Sequence, residues 1–239
     1  MPKNVKNTTI VNLLDLIAPH ICRGCGRIGS PLCDCCKNNI ILNYHNICPV
    51  CHHSCPAGKC PHCKHLPPIF ITGSRTDLIG QLIHDYKFNS VRALARPLAE
   101  ILNSIIPNNL SASTANDTNT LKTQIIPLPT INKHIRERGL DHTYLIAKHF
   151  AHLRGSNCRV SKLLTRNQNT VQVGSSREVR LTQASSAYFL VKNAAIDPST
   201  TYILFDDVWT TGASLQAAYA ILQKAGARNV IIAALALSS

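Results

Sequence analysis

The chain has 239 residues, of which 45% are hydrophobic, and it carries a formal net charge of +13 at neutral pH. This length and hydrophobic content support one core domain and a small additional module. No run approaches the roughly 20 apolar residues of a membrane span, so we expect no membrane-spanning segment. Between residues 122 and 180 there are eleven Lys and Arg against three acids, a balance that fits a highly charged small ligand or nucleic acid.

The first segment, residues 1–19, is predicted to form a short amphipathic helix. Two lysines precede the apolar run Ile10–Ala18, which superficially resembles a secretory signal, but Asn12 and Asp15 interrupt that run. We therefore expect this helix to dock on the rest of the protein. We also expect the protein to work in a reducing, cytoplasmic compartment.

Cysteines dominate the next segment, residues 20–66, which holds ten of the eleven cysteines of the chain. Eight of them form four C-x-x-C pairs, and the pattern repeats after 26 to 27 residues. Four thiolates from two tight turns suit tetrahedral Zn²⁺, and a complete thiolate shell leaves no position for a substrate. The segment therefore predicts a double zinc-ribbon module with two structural zinc sites, whose ligands are Cys22, Cys25, Cys33, Cys36, Cys48, Cys51, Cys60 and Cys63.

The spacing alone leaves open which cysteine pairs share an ion. Sequential pairing, with the first four ligands on one ion and the last four on the other, is the simplest arrangement, but crossed pairing is also compatible. Cys35 could replace Cys36 as a ligand. A disulfide framework is the less favoured alternative, because no secretory signal argues for an oxidising compartment. Cys158 stands apart and is expected to be a small buried apolar residue.

Strands and helices alternate in the remaining segment, residues 67–239, after a hinge at Pro67-Pro68. Strands are predicted over Ile69–Ser74, Gln124–Pro129, Val160–Arg166, Ala187–Val191, Tyr202–Phe205 and Asn229–Leu235, and helices around Leu78–Tyr86, Leu94–Leu102, Leu140–Phe150 and 213–225. Residues 107–120 are polar without periodicity and are predicted to form a flexible loop. The alternation predicts an α/β fold with a doubly wound parallel sheet, which binds ligands beyond the carboxyl ends of its strands.

The segment from Tyr202 to Leu215 is the most informative of the chain. Four apolar residues lead into Asp206 and Asp207, and a short loop with hydroxyl side chains then precedes an Ala-rich helix. N–H groups at a helix start attract an anion, and paired acids suit sugar hydroxyls directly or through Mg²⁺. The alternative is a buried strand whose acids cap the next helix. We favour a sugar-phosphate site with the acids on the sugar and, on the phosphate, the loop residues Val208, Trp209, Thr210, Thr211, Gly212, Ala213 and Ser214.

A cationic loop follows the strand that ends near Pro129. It contains Lys133, Arg136 and Arg138, and Gly139 comes next. Arginine can grip a pyrophosphate with two parallel hydrogen bonds, and glycine permits a close backbone approach. We expect this loop to bind a pyrophosphate group, the alternative being a solvated basic helix start.

The motif around Asp206 and Asp207 resembles the signature of the type I phosphoribosyltransferases, which bind phosphoribosyl pyrophosphate (PRPP). The resemblance implies that the two acids hold the ribose hydroxyls in catalysis, that the loop holds the 5′-phosphate and that Mg²⁺ accompanies PRPP. With the four C-x-x-C pairs and the segment Arg136–Leu140, the chain is similar to the ComF family of competence-protein-F and GntX-like proteins. Asp141 and Gln183 depart from this pattern, since the family usually has Asn at both positions.

The resemblance to the ComF family implies a DNA-uptake factor of natural transformation. Such a factor acts on incoming single-stranded DNA in the cytoplasm, in contact with other DNA-uptake proteins, and type I relatives are often homodimers. An active phosphoribosyltransferase with an unknown acceptor and a PRPP-sensing regulator are the alternatives. Trp209, Tyr188 or Tyr144 could stack on bases, although a packed ring is the favoured interpretation for Trp209.

Overall fold

The computed structural model describes residues 19–107, 122–131, 135–136, 139–166 and 187–238. The predictions for the N-terminal helix and for the 107–120 loop lie outside the described residues, except for one residue of each. The described chain forms the strands β1 Ile69–Ser74, β2 Thr123–Pro127, β3 Cys158–Val160, β4 Leu164–Arg166, β5 Tyr188–Leu190, β6 Thr201–Trp209 and β7 Asn229–Leu237. Its α-helices are α1 Asp34–Leu42, α2 Leu78–Phe88, α3 Ala95–Ile105, α4 His142–Arg154 and α5 Ala213–Lys224.

Five of the strands form one parallel sheet in the order β1-β7-β6-β2-β3. The chain moves from β2 outward to β3, and on the other side it moves from β6 outward to β7. The winding direction therefore reverses between β2 and β6, and sheets of this kind bind ligands in the crevice at such a reversal. The predicted α/β fold with a parallel sheet is confirmed.

Helices cover the parallel sheet on both faces, which explains why its central strands are continuous apolar runs rather than alternating ones. On one face, α2, α3 and α4 pack against a set of strand residues that includes Ile203 and Phe205. On the other face, α5 and the small sheet formed by β4 and β5 pack against Tyr202 and Leu204. Residues 202–205 of β6 therefore alternate between the two layers of the protein.

Two strand predictions need correction. The strand predicted to end at Phe205 continues through both aspartates to Trp209, because its pairing with β7 extends to Trp209 opposite Leu237. The single strand predicted over Val160–Arg166 is divided into β3, in the parallel sheet, and β4. Residues 161–163, which separate β3 from β4, are too few for the crossover that would place β4 beside β3 in the parallel sheet. Strand β4 instead pairs antiparallel with β5 in a separate two-stranded sheet.

Candidate functional site

Asp206 and Asp207 lie on β6, at the reversal point of the sheet. The backbone N–H of Leu128, just after β2, donates to the carbonyl of Phe205 at 2.9 Å, so the chain leaving β2 stays beside the acids. Asp207 is 8% exposed and pairs with Lys87 of α2, whereas Asp206 keeps partial solvent access. Both carboxylates of the acid pair thus lie at the reversal point of the sheet, beside each other.

The two carboxylates of the acid pair have different electrostatic environments. Burial raises the pKa of Asp206 well above its ordinary value, and the neighbouring charge of Asp207 raises it further. The backbone N–H of Asp207 donates to Asp206 Oδ1 at 2.8 Å and, with the more distant charge of Lys87, acts in the opposite direction. Asp207 forms an ion pair with Lys87, near the end of α2, and both side chains are largely buried. Asp207 thus has a cation as its ion-pair partner, whereas the pKa of Asp206 is raised.

The phosphate-loop prediction covers the turn from β6 into α5. Gly212 is the N-cap residue of α5 and has a φ of +74°, and a Cβ on it would lie 2.1 Å from Cζ2 of Trp209. The turn therefore needs glycine both for its backbone conformation and for the space that the indole ring occupies. Trp209 is 1% exposed, so its ring supports the loop from inside and is not available to stack on a base.

Hydroxyl side chains line the outer side of this turn. Thr210 is exposed, whereas Thr211 and Ser214 are partly exposed. The N–H of Ala213 donates to Oγ1 of Thr211 at 3.3 Å, which fixes the first residue of α5. The structure thus brings the hydroxyl groups and the start of α5 next to the acid pair.

Two cavities meet at the acid pair, and Lys87, Asp206 and Asp207 line both of them. The larger cavity has a volume of about 840 Å³ and lies between the outer side of α2 and the acids. The smaller cavity, of about 230 Å³, lies over the crevice between β2 and β6. A ligand seated on the acids therefore has room for one group on either side.

Besides Lys87 and the acid pair, the smaller cavity gathers side chains from four further parts of the structure. It is lined by the loop after β2, by the start of α4, by Ser214 and by Arg166 and Tyr188 of the β4–β5 sheet. The guanidinium carbon of Arg166 lies 5.4 Å from the ring centre of Tyr188, and its Nε is buried without a hydrogen-bond partner among the described residues. Burial raises the pKa of Tyr188, while a hydrogen bond with Ser214 opposes that shift. A cation and a phenol thus face the same crevice as the acid pair.

Only part of the predicted cationic loop falls within the described residues. Arg136 is exposed to solvent, whereas Lys133 and Arg138 lie outside the described residues, so the expected pyrophosphate grip stays a prediction. Asp141 caps α4, since its carboxylate accepts the N–H of Tyr144 at 3.1 Å. Asp and Asn serve equally well as N-caps, so this capping contact is a structural reason for an aspartate at position 141.

The eight C-x-x-C cysteines form two groups of four thiols, and within each group all sulfur atoms lie within 4.8 Å of one another. One group consists of Cys22, Cys25, Cys33 and Cys36, and the other of Cys48, Cys51, Cys60 and Cys63. Four ligands at the Zn–S distance of about 2.3 Å in a tetrahedron are about 3.8 Å apart. The Cys25–Cys33 and Cys51–Cys60 sulfur distances of 3.6 and 3.3 Å are close to that value. Sequential pairing is therefore confirmed, and each group fits one zinc ion.

The two halves of the cysteine module share the same first turn, as the sequence repeat predicts. Ile21 pairs with Ile28 in one half, and Ile47 pairs with Ser54 in the other. The second turns differ, because in the first half α1 begins directly after Cys33. Helix α1 places Cys36 within the thiol group and leaves Cys35 exposed, which settles the choice between these neighbours.

The remaining cysteines have no ligand position. All cysteines are free thiols in this structure, and their grouping in two sets of four favours zinc binding over a disulfide framework. Cys55 is buried beside the second group, where burial and the neighbouring thiols raise its pKa to about 12. Burial also raises the pKa of Cys158, to about 11. Cys158 is partly buried against the main core, in line with the structural role expected for it.

The first thiol group is continuous with the main core and reaches the larger cavity. Cys22, Leu32 and Ile40 belong to the same apolar core as α2 and α3. Nε of Arg23 lies 3.7 Å from Oδ2 of Asp85 on α2. Gly24 lines the larger cavity, and a Cβ on it would lie 2.9 Å from the side chain of Leu78. The turn from Cys22 to Cys25, called the first zinc turn below, therefore forms one wall of the candidate site.

The segment between the two thiol groups crosses the edge of the parallel sheet. The N–H of His45 donates to the carbonyl of Ile71 on β1 at 3.1 Å, as part of an isolated antiparallel bridge. An edge strand with unpaired backbone groups is a site of unwanted pairing. The cysteine module thus caps β1, with the first thiol group packed on one layer and Val50 and Leu66, beside the second group, on the other.

Lys87, and the role of Arg166 beside Tyr188, are the site features that the motifs did not reveal. Lys87 follows Tyr86 at the end of an ordinary amphipathic helix, and no local pattern relates it to Asp207. Comparison with known proteins adds no identification, because no protein-family model matches the chain and no curated protein is significantly similar to it. Within the described ranges, none of the helices has the length and apolar character of a membrane span.

Proposed function

We propose that the chain binds Mg²⁺·PRPP across its acid pair and serves as a DNA-uptake factor that acts on incoming single-stranded DNA. The observation that carries the binding proposal is the meeting of Asp206, Asp207 and the Thr210–Ser214 turn at the reversal point between β2 and β6. Doubly wound sheets bind ligands at this place, and the start of a helix favours a phosphate. The support for the DNA-uptake role is the ComF resemblance and the basic balance of the chain.

The proposed orientation of PRPP follows from the chemistry of each group. The 5′-phosphate would lie at the start of α5, where hydroxyl groups and helix N–H groups favour an anion. The ribose hydroxyls would donate to Asp206 and Asp207. These hydroxyls compete with Lys87 for Asp207, so ligand binding would release the ammonium group to face pyrophosphate. Arg136 and Arg166 would add positive charge at that end.

The same arrangement supports a phosphoribosyltransferase reaction as a second candidate function. A nucleophile of the acceptor would attack the anomeric carbon as pyrophosphate leaves with the bonding electrons. The contribution of the chain would be positioning by the acid pair and stabilisation of the leaving charge by Lys87 and Arg166. Mg²⁺ supplies further charge neutralisation when it is bound with PRPP. A PRPP-sensing regulator would use the same contacts without transfer, and pyrophosphate release in the presence of an acceptor distinguishes the two.

Calorimetric titration of the zinc-loaded protein with Mg²⁺·PRPP tests the proposal. We expect micromolar binding by the wild type and none by the double variant Asp206→Asn with Asp207→Asn. Asp34→Asn is a control, because Asp34 is a highly exposed acid that pairs with Lys37 and lines neither cavity. Binding that survives in the double variant would show that the acids do not hold the ribose.

The titration is then repeated with a short single-stranded oligonucleotide present, which tests the second part of the proposal. Affinity for the oligonucleotide should fall steeply as salt increases, because Lys and Arg displace counterions from phosphates. The slope should flatten when Lys133, Arg136 and Arg138 are neutralised together. No oligonucleotide binding at low salt would remove the DNA-uptake role and leave the PRPP site to be judged separately.

A further inference from the structure

The larger cavity extends from the acid pair and Thr210 along α2 to Gly24, beyond the groups that we propose to hold PRPP. One stripe of α2 faces it, formed by Gln81, His84 and Phe88 at helical spacings of three and four residues. A solvated stripe on a helix usually carries charged side chains. Here it carries an amide, an imidazole and a phenyl ring beside the acid pair.

The aromatic pair of this stripe is exposed rather than packed into the core. Phe88 is 58% exposed, and its ring centre lies 5.1 Å from that of His84 at an angle of 42° between planes. Burying a ring of this size stabilises a complex, and aromatic rings pair in offset-stacked or edge-to-face arrangements at such separations. Both side chains line the cavity that also contains Asp206 and Asp207. The exposed pair therefore offers a stacking surface within the candidate site.

The remaining walls add polar groups suited to a base and its phosphate. Arg75 lies exposed at the end of β1 and lines the cavity, and it has no ion-pair partner among the described residues. Gln81 can donate and accept hydrogen bonds at a base edge. Gly24 of the first zinc turn closes the far side with backbone alone, since a Cβ there would overlap Cys36 and Leu78. The cavity thus combines flat apolar surface, an amide and a cation.

We propose that the larger cavity is a nucleobase site, in which the base stacks on Phe88 and His84 and its phosphate faces Arg75. This inference rests on the proposed function, because the cavity begins at the acids proposed to hold the ribose and extends from them along α2. A nucleobase could come from a free mononucleotide or from the end of a single strand. Both share the planar ring and the adjacent phosphate, and the experiment separates them.

The test uses 2-aminopurine, a base whose fluorescence is quenched by stacking. The full-length, zinc-loaded protein is titrated with the 2-aminopurine mononucleotide and with a short single strand carrying the same base at its end, each with and without Mg²⁺·PRPP. Phe88→Ala should weaken binding of the quenched probe by about 5-fold to 150-fold, the range for one base stacked on an aromatic ring. His84→Ala should weaken it in the same direction.

Phe189→Ala is the matched control, because Phe189 is also an exposed phenylalanine, at 49% exposure, and does not line the cavity. Weaker probe binding by Phe88→Ala but not by Phe189→Ala supports the proposal. If this difference is seen with the mononucleotide, a free nucleotide is the occupant, and if it is seen with the strand alone, the end of a strand is. Equal binding by Phe88→Ala and wild type, equal loss in both variants, or no quenching of either probe would overturn it.

A separate readout keeps this proposal distinct from the PRPP proposal. Trp209 is the single tryptophan of the chain and packs against Gly212 in the phosphate loop, so its fluorescence reports PRPP binding. Phe88→Ala should leave PRPP affinity unchanged in that assay. Loss of PRPP affinity together with base affinity in Phe88→Ala would show a general disturbance of α2 and overturn the stacking role.

Discussion

Replacement of Cys36 by serine, with Cys35→Ser as its neighbour control, tests both the zinc assignment and the way the module joins the core. Cys36 belongs to the first thiol group, whereas Cys35 is exposed and outside it. Cys36→Ser should lower the zinc content from two ions to one, because three thiolates and a hydroxyl bind zinc much more weakly than four thiolates. Cys35→Ser should keep both ions.

The size of the effect on stability follows from the apolar side chains that the first thiol group holds in the main core. Leu32 and Ile40 are 4% and 8% exposed and pack in the main core. Full burial of one such side chain contributes about 1.5–3 kcal/mol, so releasing both would cost about 3–6 kcal/mol. The second group is flanked by Val50 and Leu66, which are only partly buried. We therefore expect Cys63→Ser, which removes the second ion, to cost roughly half as much.

Zinc content by elemental analysis and thermal unfolding by circular dichroism measure these effects. At about 2–4 °C per kcal/mol for a chain of this size, Cys36→Ser should lower the unfolding temperature by about 6–24 °C. Full zinc content in Cys36→Ser, or loss of zinc in Cys35→Ser, would refute the ligand assignment. Equal destabilisation by Cys36→Ser and Cys63→Ser would refute the argument that the first thiol group, unlike the second, belongs to the main core.

Three further variants probe the acid pair and its loop. Gly212→Ala should abolish PRPP binding in calorimetry with the fold retained, because a φ of +74° costs alanine about 1–2 kcal/mol and its Cβ would overlap Trp209. Lys87→Met leaves Asp207 without its counter-ion and should lower the free energy of unfolding in urea by up to about 3–5 kcal/mol, part of which Asp207→Asn should restore. The pKa of Asp206 is raised in the folded state. The contribution of Asp206 to the free energy of unfolding therefore falls as the pH rises above the pKa that this carboxyl group has in the unfolded chain. Asp206→Asn should therefore unfold at a higher temperature than wild type near pH 8, with the difference shrinking towards about pH 4. The three arguments would be contradicted, respectively, by unchanged PRPP affinity in Gly212→Ala, by no recovery of stability when Asp207→Asn is added to Lys87→Met, and by a difference in unfolding temperature between Asp206→Asn and wild type that does not depend on pH.

The parallel sheet could be predicted because its strands and helices carry strong local patterns. Helix α3 buries Leu98, Ile101, Leu102 and Ile105 at helical spacing, and these residues stand out in the sequence. Helix α1 carries no such pattern, since Ile40 is its one buried residue. The position of α1 follows from Cys33 and Cys36, which both belong to the first thiol group. The spacing of the cysteines alone does not indicate that the residues after Cys33 form a helix.

The composition of the site was harder to predict because its groups come from distant parts of the chain. The acid pair and the glycine turn form one continuous motif, so their relation is visible in sequence. Lys87 and Arg166 reach the same place through tertiary packing, and a lysine at a helix end or an arginine in a short strand is ordinary in itself. The end of β6 was placed too early because side-chain type suggested a loop, whereas pairing with β7 continued the strand.

Helix α2 connects the candidate PRPP site with the candidate base site, and this predicts coupling between their ligands. Lys87 contacts Asp207, while Phe88, the next residue, contributes to the stacking surface. If PRPP displaces Lys87 from Asp207, the last turn of α2 changes its contacts, and the position of Phe88 changes with it. Coupling between two binding equilibria is reciprocal, so the factor by which PRPP alters oligonucleotide affinity must equal the factor by which the oligonucleotide alters PRPP affinity. Titrations in both orders measure these factors, and in Lys87→Met both should fall towards one while each ligand still binds. Coupling of undiminished size in that variant would show that the two sites communicate by a route other than the end of α2.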